Sequence, residues 1–172
     1  MGTPSGRSQR SRTLYDLRSN RHIPFSLTDR HQVEAIQRLE KHYKLVPLSN
    51  IDHTSFNQTL SGPLRDCAFA ACYIAEDIGS YKPDRRNFQY LLEHLESDLG
   101  VAPGELCHVA QSLHHDHATT KAMGLRSVWV DRYGVLQSGE QIEEELKSEY
   151  GFRLRVTSLE ALADIVDEAF SV

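Results

Sequence analysis

The sequence predicts an α/β domain built on a parallel sheet with helices on both faces. Two observations carry that expectation. Short apolar runs alternate with amphipathic stretches whose apolar residues recur every three or four positions, in the order α, β, α, β, α, β, α, β, β, α. Chemically loaded loops then follow the apolar runs: Ser49-Asn50, Lys82, and the cluster from Gln111 to His117. In an open parallel sheet, ligands bind where loops leave the carboxyl ends of strands, so these three groups are expected to converge.

Composition agrees with one soluble domain. The chain has 172 residues, 40% hydrophobic and 25% charged, with a net charge of −5. That balance argues against a nucleic-acid surface, and no run approaches the length of a membrane span. Basic residues concentrate at Arg7, Arg10, Arg12, Arg18 and Arg21, in a Ser-rich start without the apolar core of a secretory signal. Residues 1–22 are expected to be a polar, disordered leader, and 23–172 one α/β domain. Cys67, Cys72 and Cys107 have neither disulfide nor zinc spacing. They read as free, mostly buried thiols of a reducing, cytoplasmic compartment.

The elements follow in order. Thr28 or Asp29 is placed to cap a helix to about His42, with Val33, Ile36 and Leu39 on one face. Residues 43–48 read as a strand, although Pro47 cannot donate to a ladder. Asp52 begins a helix that Ser61-Gly62-Pro63 stops, and Ala68–Ile74 reads as a second strand. Glu76–Tyr81 is expected to be a loop delivering Lys82. Pro83 or Asp84 opens a helix with Phe88, Leu91, Leu92 and Leu95 inward, closed by Gly100. Strands are expected near 106–110 and 126–130, with a helix from Ala118 between them. Asp131–Gly139 reads as a turn region, Gln141–Tyr150 as a solvated charged segment, and 153–157 as an edge strand. Ser158 caps a final helix, Leu159–Phe170.

The densest chemistry lies in Leu106–Arg132, where Ser112, His114, His115, Asp116 and His117 follow an apolar run. The bland alternative makes Asp116 only the N-cap of the Ala118 helix. Zinc binding by His108, His114, His115, Asp116 and His117 is not expected, because the spacing lacks patterns such as HExxH.

Three stretches resemble known motifs: LVPLSNID (45–52), EDIGSYKPDRRNF (76–88), and LCHVAQSLHHDH (106–117) with GLRSVWVDR (124–132). They are similar to motifs two, three and four of the haloacid dehalogenase-like hydrolase superfamily. Within it, the nearest likeness is to fungal and bacterial 2-haloacid dehalogenase-like proteins, over residues 24–133. The resemblance implies a three-layer, Rossmann-like parallel sheet. It implies hydrolysis of a carbon–halogen bond or phosphate ester in a small anionic substrate. Ser49 and Asn50 would bind the substrate's anionic group. Lys82 would neutralise the nucleophile and the developing charge. Ser112 and Asp116 would hold the lysine and the hydrolytic water. No cofactor is implied unless the chain is phosphatase-like, when Mg²⁺ would bind through Asp116.

The chain departs from the family at its start. The family's nucleophile is an Asp in a pattern like DxYGT at the end of a first, central strand, and no such pattern occurs. Residues 13–20 read TLYDLRSN, and no apolar strand precedes Asp16. The chain is therefore expected to be a core truncated at its first strand. Either Thr13–Leu17 inserts, or another chain supplies a strand, which would suit a homo-oligomer, or the sheet stays incomplete. The second functional reading is an inactive remnant acting as a small-anion or protein-binding module.

Overall fold

A computed structural model describes residues 30–134 and 140–171 of the chain, excepting the side chains of Arg30, Glu140 and Gln141. Expectations for the leader, the Thr28/Asp29 cap, Asp16 and residues 135–139 fall outside the described residues. Seven helices are described: α1 (Arg30–Leu39), α2 (His53–Ser61), α3 (Ala75–Ile78), α4 (Arg85–Leu99), α5 (Ala118–Ala122), α6 (Glu140–Tyr150) and α7 (Leu159–Phe170). Five short strands accompany them: β1 (Leu48–Ser49), β2 (Tyr73–Ile74), β3 (Cys107–Ala110), β4 (Arg126–Val130) and β5 (Leu154–Val156). Among the described residues, no helix is long and apolar enough to cross a membrane.

All strand pairs are parallel, but they form two sheets: β1 with β2, and β3–β4–β5 with β4 in the centre. Helices lie on both faces. On one, Val128, Val130 and Val156 pack against Ala35 and Leu39 of α1 and Leu162, Ala163 and Val166 of α7. On the other, His108 meets Phe88 of α4 edge to face at 5.1 Å. Alternation explains both contacts: His108 of β3 is in register with Ser127 of β4, one residue from Val128, and successive side chains take opposite faces of a pleated strand. Four of its five residues are buried, as expected of a central parallel strand.

Local chemistry sets most helix ends as expected. The Asp52 carboxylate accepts from the backbone N–H of Ser55 at 2.8 Å, and the Ser158 hydroxyl from that of Ala161 at 3.1 Å. Gly100 ends α4 with φ 63°, in the left-handed region that a side chain disfavours.

The first two strands are shorter than expected. Pro47 has no N–H, so regular pairing starts only at Leu48, although the Pro47 carbonyl still accepts from the Tyr73 N–H at 2.9 Å. Residues 68–72 lie outside the regular ladder, although the Ala70 N–H still donates to the Leu45 carbonyl at 2.9 Å. Residues 75–78, expected as loop, form one helical turn closed by Gly79. The stretch expected as a solvated charged segment over Gln141–Tyr150, to which no element was assigned, is the helix α6.

Phe88 is fully buried with Leu48, Tyr73, Leu91 and Leu95. Truncation there leaves a cavity in close-packed surroundings. Phe88→Ala is expected to lower stability by about 3–5 kcal/mol, read from the shift of the urea midpoint.

Candidate active site

The three loaded loops do meet. Lys82 leaves the turn after α3, and its backbone is gripped by Asn50, which follows β1. The Lys82 N–H donates to Asn50 Oδ1 at 2.7 Å, and Asn50 Nδ2 donates to the Lys82 carbonyl at 2.9 Å. The next peptide, Lys82–Pro83, is cis. The Pro83 carbonyl accepts from Thr119 Oγ1 of α5 at 2.9 Å. The lysine is thus fixed from both sides before its side chain makes any contact.

The Lys82 ammonium then bridges the two sheets. Nζ donates to the Leu48 carbonyl of β1 at 2.9 Å and to Asp116 Oδ1 at 2.7 Å. His108 Nε2 lies 2.9 Å from the same carboxylate oxygen. A carboxylate only accepts, so this ring nitrogen carries the proton. The Lys82 and Asp116 side chains are only 11% and 8% exposed, so the pair lies largely outside the screening reach of water. Burial alone would push the Asp116 carboxyl up. The His108 hydrogen bond and the Lys82 charge outweigh burial and hold it well below the usual carboxylate range.

Asp116 reaches this position because the chain after β3 winds as a π-helical turn, Leu113–His117, ahead of α5. The cap of that turn is Ser112, not Asp116. Ser112 Oγ accepts from the His115 N–H at 3.1 Å and pairs with His115 Nδ1 at 3.0 Å. The helix-cap reading of Asp116 is therefore corrected: its carboxylate faces the lysine. π turns of this kind insert an extra residue and re-aim the side chains around it.

His117 pins the turn from behind. Its Nε2 donates to the Ala110 carbonyl at 3.0 Å, so Nδ1 accepts from Ser127 Oγ at 2.9 Å. Burial pushes this imidazole down, consistent with a neutral ring. Beside the turn, at the carboxyl ends of β3 and β4, opens a cavity of about 390 Å³ lined by Ser112, His115, Trp129, Asp131, Arg132 and Tyr133 among others. Its size suits a small molecule. The cavity floor is braced by Arg155, which binds buried Asp131 at 2.8 Å and lies 5.8 Å from the Trp129 ring centroid.

Of the five residues the sequence nominates, Lys82, Asp116 and Asn50 form one connected cluster. Ser49 ends β1 one residue beyond the carbonyl that Lys82 binds, and Ser112 is occupied with His115. Asn50 differs most in use, because both ends of its amide hold the Lys82 backbone. His108 is the residue sequence reasoning passed over, having weighed it only for zinc. The available signal was a polar residue within the apolar run of β3. The thiols also need correction: Cys67 and Cys72 are half-buried and Cys107 is exposed, not mostly buried, because the edge of β3 is open. Among the described residues, no three His, Cys, Asp or Glu side chains come together to hold a metal ion.

No family model and no curated protein matches the sequence. Solved structures do match in fold. A dehalogenase with an intermediate complex superimposes with a TM-score of 0.61 at 25% identity, over 77% of this chain and 54% of its own. A haloacid dehalogenase-type (HAD) phosphatase from Thermococcus onnurineus gives 0.57 at 25% identity, over 77% and 55%. L-2-haloacid dehalogenase from Xanthobacter autotrophicus with chloropropionic acid covalently bound gives 0.59 at 18%, over 78% and 59%. The chain spans about half the length of the first of these structures.

Two outcomes follow from the ion pair. Removing one partner strands a buried charge, so Lys82→Met is expected to cost about 3–5 kcal/mol. Adding Asp116→Asn to that variant should recover part of the loss in urea denaturation. Second, the folded-state pKa of Asp116 lies below its unfolded value. The stability it contributes is complete above the unfolded carboxyl pKa of about 4 and is lost as pH falls toward the depressed folded value. Between about pH 4 and pH 2, the urea midpoint of the native chain should fall more steeply than that of Asp116→Asn.

Proposed function

We propose that this chain, haloacid dehalogenase-like by fold and superfamily, carries the charge-handling half of a hydrolase site. The substrate is a small anion, and the bond broken is carbon–halogen or a phosphate ester. One observation carries the reading: a buried lysine held at the carboxyl ends of parallel strands by a carbonyl, a carboxylate and an amide clamp.

The chemistry follows from that lysine. A cation fixed in a dry site draws an anionic substrate and keeps an attacking carboxylate ionised. Asp116 keeps the ammonium charged and aimed. Asn50 sets the position of the Lys82 backbone, and His108 orients Asp116. The Ser49 hydroxyl, at the end of β1, offers a donor to the substrate's carboxylate or phosphate. Ser112 and His115 edge the neighbouring cavity, which takes the body of the substrate and the water that completes hydrolysis. The nucleophile implied by the resemblance, an Asp ending a first strand, has no counterpart among the described residues.

Mg²⁺ does not fit the described residues. Asp116 Oδ1 already accepts from Lys82 and His108, and an ammonium 2.7 Å away disfavours a second cation. We derive no step through a metal, and the reading leans toward carbon–halogen cleavage, which needs none.

The test is hydrolysis of 2-chloropropionate and p-nitrophenyl phosphate by purified full chain, with and without Mg²⁺. Turnover should be measurable and should fall about 100-fold or more in Lys82→Ala. Rates no higher than in that variant would sink the hydrolase reading for this chain. Saturable binding of either anion without turnover would point instead to an anion-binding module.

A further inference from the structure

The π turn and its Ser112 cap serve two neighbouring places. Asp116 turns to the lysine, while Ser112 and His115 stand in the wall of the cavity of about 390 Å³. The two places are joined by backbone, because the Asp116 N–H donates to the Ser112 carbonyl at 3.1 Å. The ion pair and the cavity therefore share one short segment.

The cavity differs from the rest of the chain in composition. Phe, Trp and Tyr make up 8% of all residues. Here Trp129, Tyr133 and Tyr150 are three of the eleven lining residues, and the imidazoles of His114 and His115 add two more rings. Trp129 is 1% exposed and fixed in place. Its Nε1 donates to the Gln111 carbonyl at 3.0 Å, and the Phe152 ring centroid lies 5.2 Å from its own. Tyr133, by contrast, is 64% exposed. A fixed ring and an exposed ring in one cavity suit a ligand ring, since aromatic pairs attract beyond the area they bury.

The polar lining narrows the ligand further. Its one acid, Asp131, has a fully buried side chain bound by Arg155 at 2.8 Å. Ser112 Oγ accepts from the His115 N–H and pairs with His115 Nδ1. If the hydroxyl donates to Nδ1, the ring proton sits on Nε2. If Nδ1 donates instead, the hydroxyl hydrogen is left over. With a neutral ring, either arrangement leaves the pair one donor for the cavity. The lining thus favours a ring with acceptor or anionic groups over a cation. Volume agrees: cavities of this size enclose ring-bearing ligands, whereas an acid of about six non-hydrogen atoms, such as 2-chloropropionate, would leave most of the space to water.

We propose that this cavity is an aryl subsite, and that the acid handled at Lys82 is a 2-aryl-2-haloacid rather than a short-chain one. The fate of the acid rests on the hydrolase reading given above; the place of the ring rests on the cavity. In the reaction the carbon–halogen bond breaks and water supplies the oxygen of the new C–O bond. Halide and a proton leave, and the product is a 2-aryl-2-hydroxyacid.

Binding can be tested apart from turnover by using the hydrolysis products. Mandelate is the product of 2-chloro-2-phenylacetate, and lactate that of 2-chloropropionate. Trp129 is the only tryptophan of the chain, so its fluorescence reports the cavity directly. Titrated into the full chain, mandelate should saturate and bind at least about tenfold more tightly than lactate. Tyr133→Ala, at an exposed position that folding does not depend on, should lose most of that difference. Tyr43→Ala, half-exposed and outside the cavity lining, should keep it. Equal affinity for the two acids, or no saturable binding of mandelate, would overturn the proposal. A preference that survives intact in Tyr133→Ala would overturn it as well, by placing the ring elsewhere. Turnover of the two chloro acids is then measured on the same samples. Aryl preference in binding without turnover of either acid supports the subsite and removes only the hydrolase reading.

Discussion

The described structure depends on one buried contact, the Lys82–Asp116 pair. No ladder joins β1 to β3, so side chains must tie the two sheets. Lys82 does this by taking the free Leu48 carbonyl and a carboxylate beyond β3. Bringing two charges out of water costs several kcal/mol per ion and is offset only when the geometry is close and other hydrogen bonds assist. Here His108 supplies a further bond to Asp116, and Asn50 fixes the lysine backbone before the side chain extends. The same arrangement that holds the sheets also holds a cation ready for an anion. Stability and chemistry are coupled at this point.

The rest of the architecture positions that pair. β4 is buried on both faces and gives β3 its direction through four registered residues. His117 then locks the turn by bonding Ala110 of β3 and Ser127 of β4 at once. Asp116 is therefore aimed from a rigid base rather than from a free loop, as precise placement of a reacting group requires. The cavity beside it opens at the same strand ends, where Trp129, Asp131 and Arg155 form a second braced cluster.

The sequence was most legible where interactions are short in range. The stripe of α7, its Ser158 cap, the Gly100 stop and the run of β4 all follow from neighbours within four residues. Their periodicity and caps survive folding unchanged. The motif resemblance similarly picked out loops that do meet, and solved dehalogenase and phosphatase structures share the fold. Legibility failed where a partner lay far along the chain. The shortness of β1 and β2 reflects a sheet that is incomplete among the described residues, which no local pattern reveals.

By itself, then, the sequence determined most of the helices though not α3 or α6, the central strand, the α/β class and the residue types carried by each loop. Tertiary structure decided what those residues do. Lys82 binds groups 34 positions away on both sides, and the register between such segments is set by packing rather than by propensity. It decided that Ser112 caps the π turn while Asp116 faces inward, that Asn50 grips a backbone, and that His108 shares the carboxylate. It also left the edges of β1 and β3 open, because a parallel strand finds its neighbours only through the closed fold.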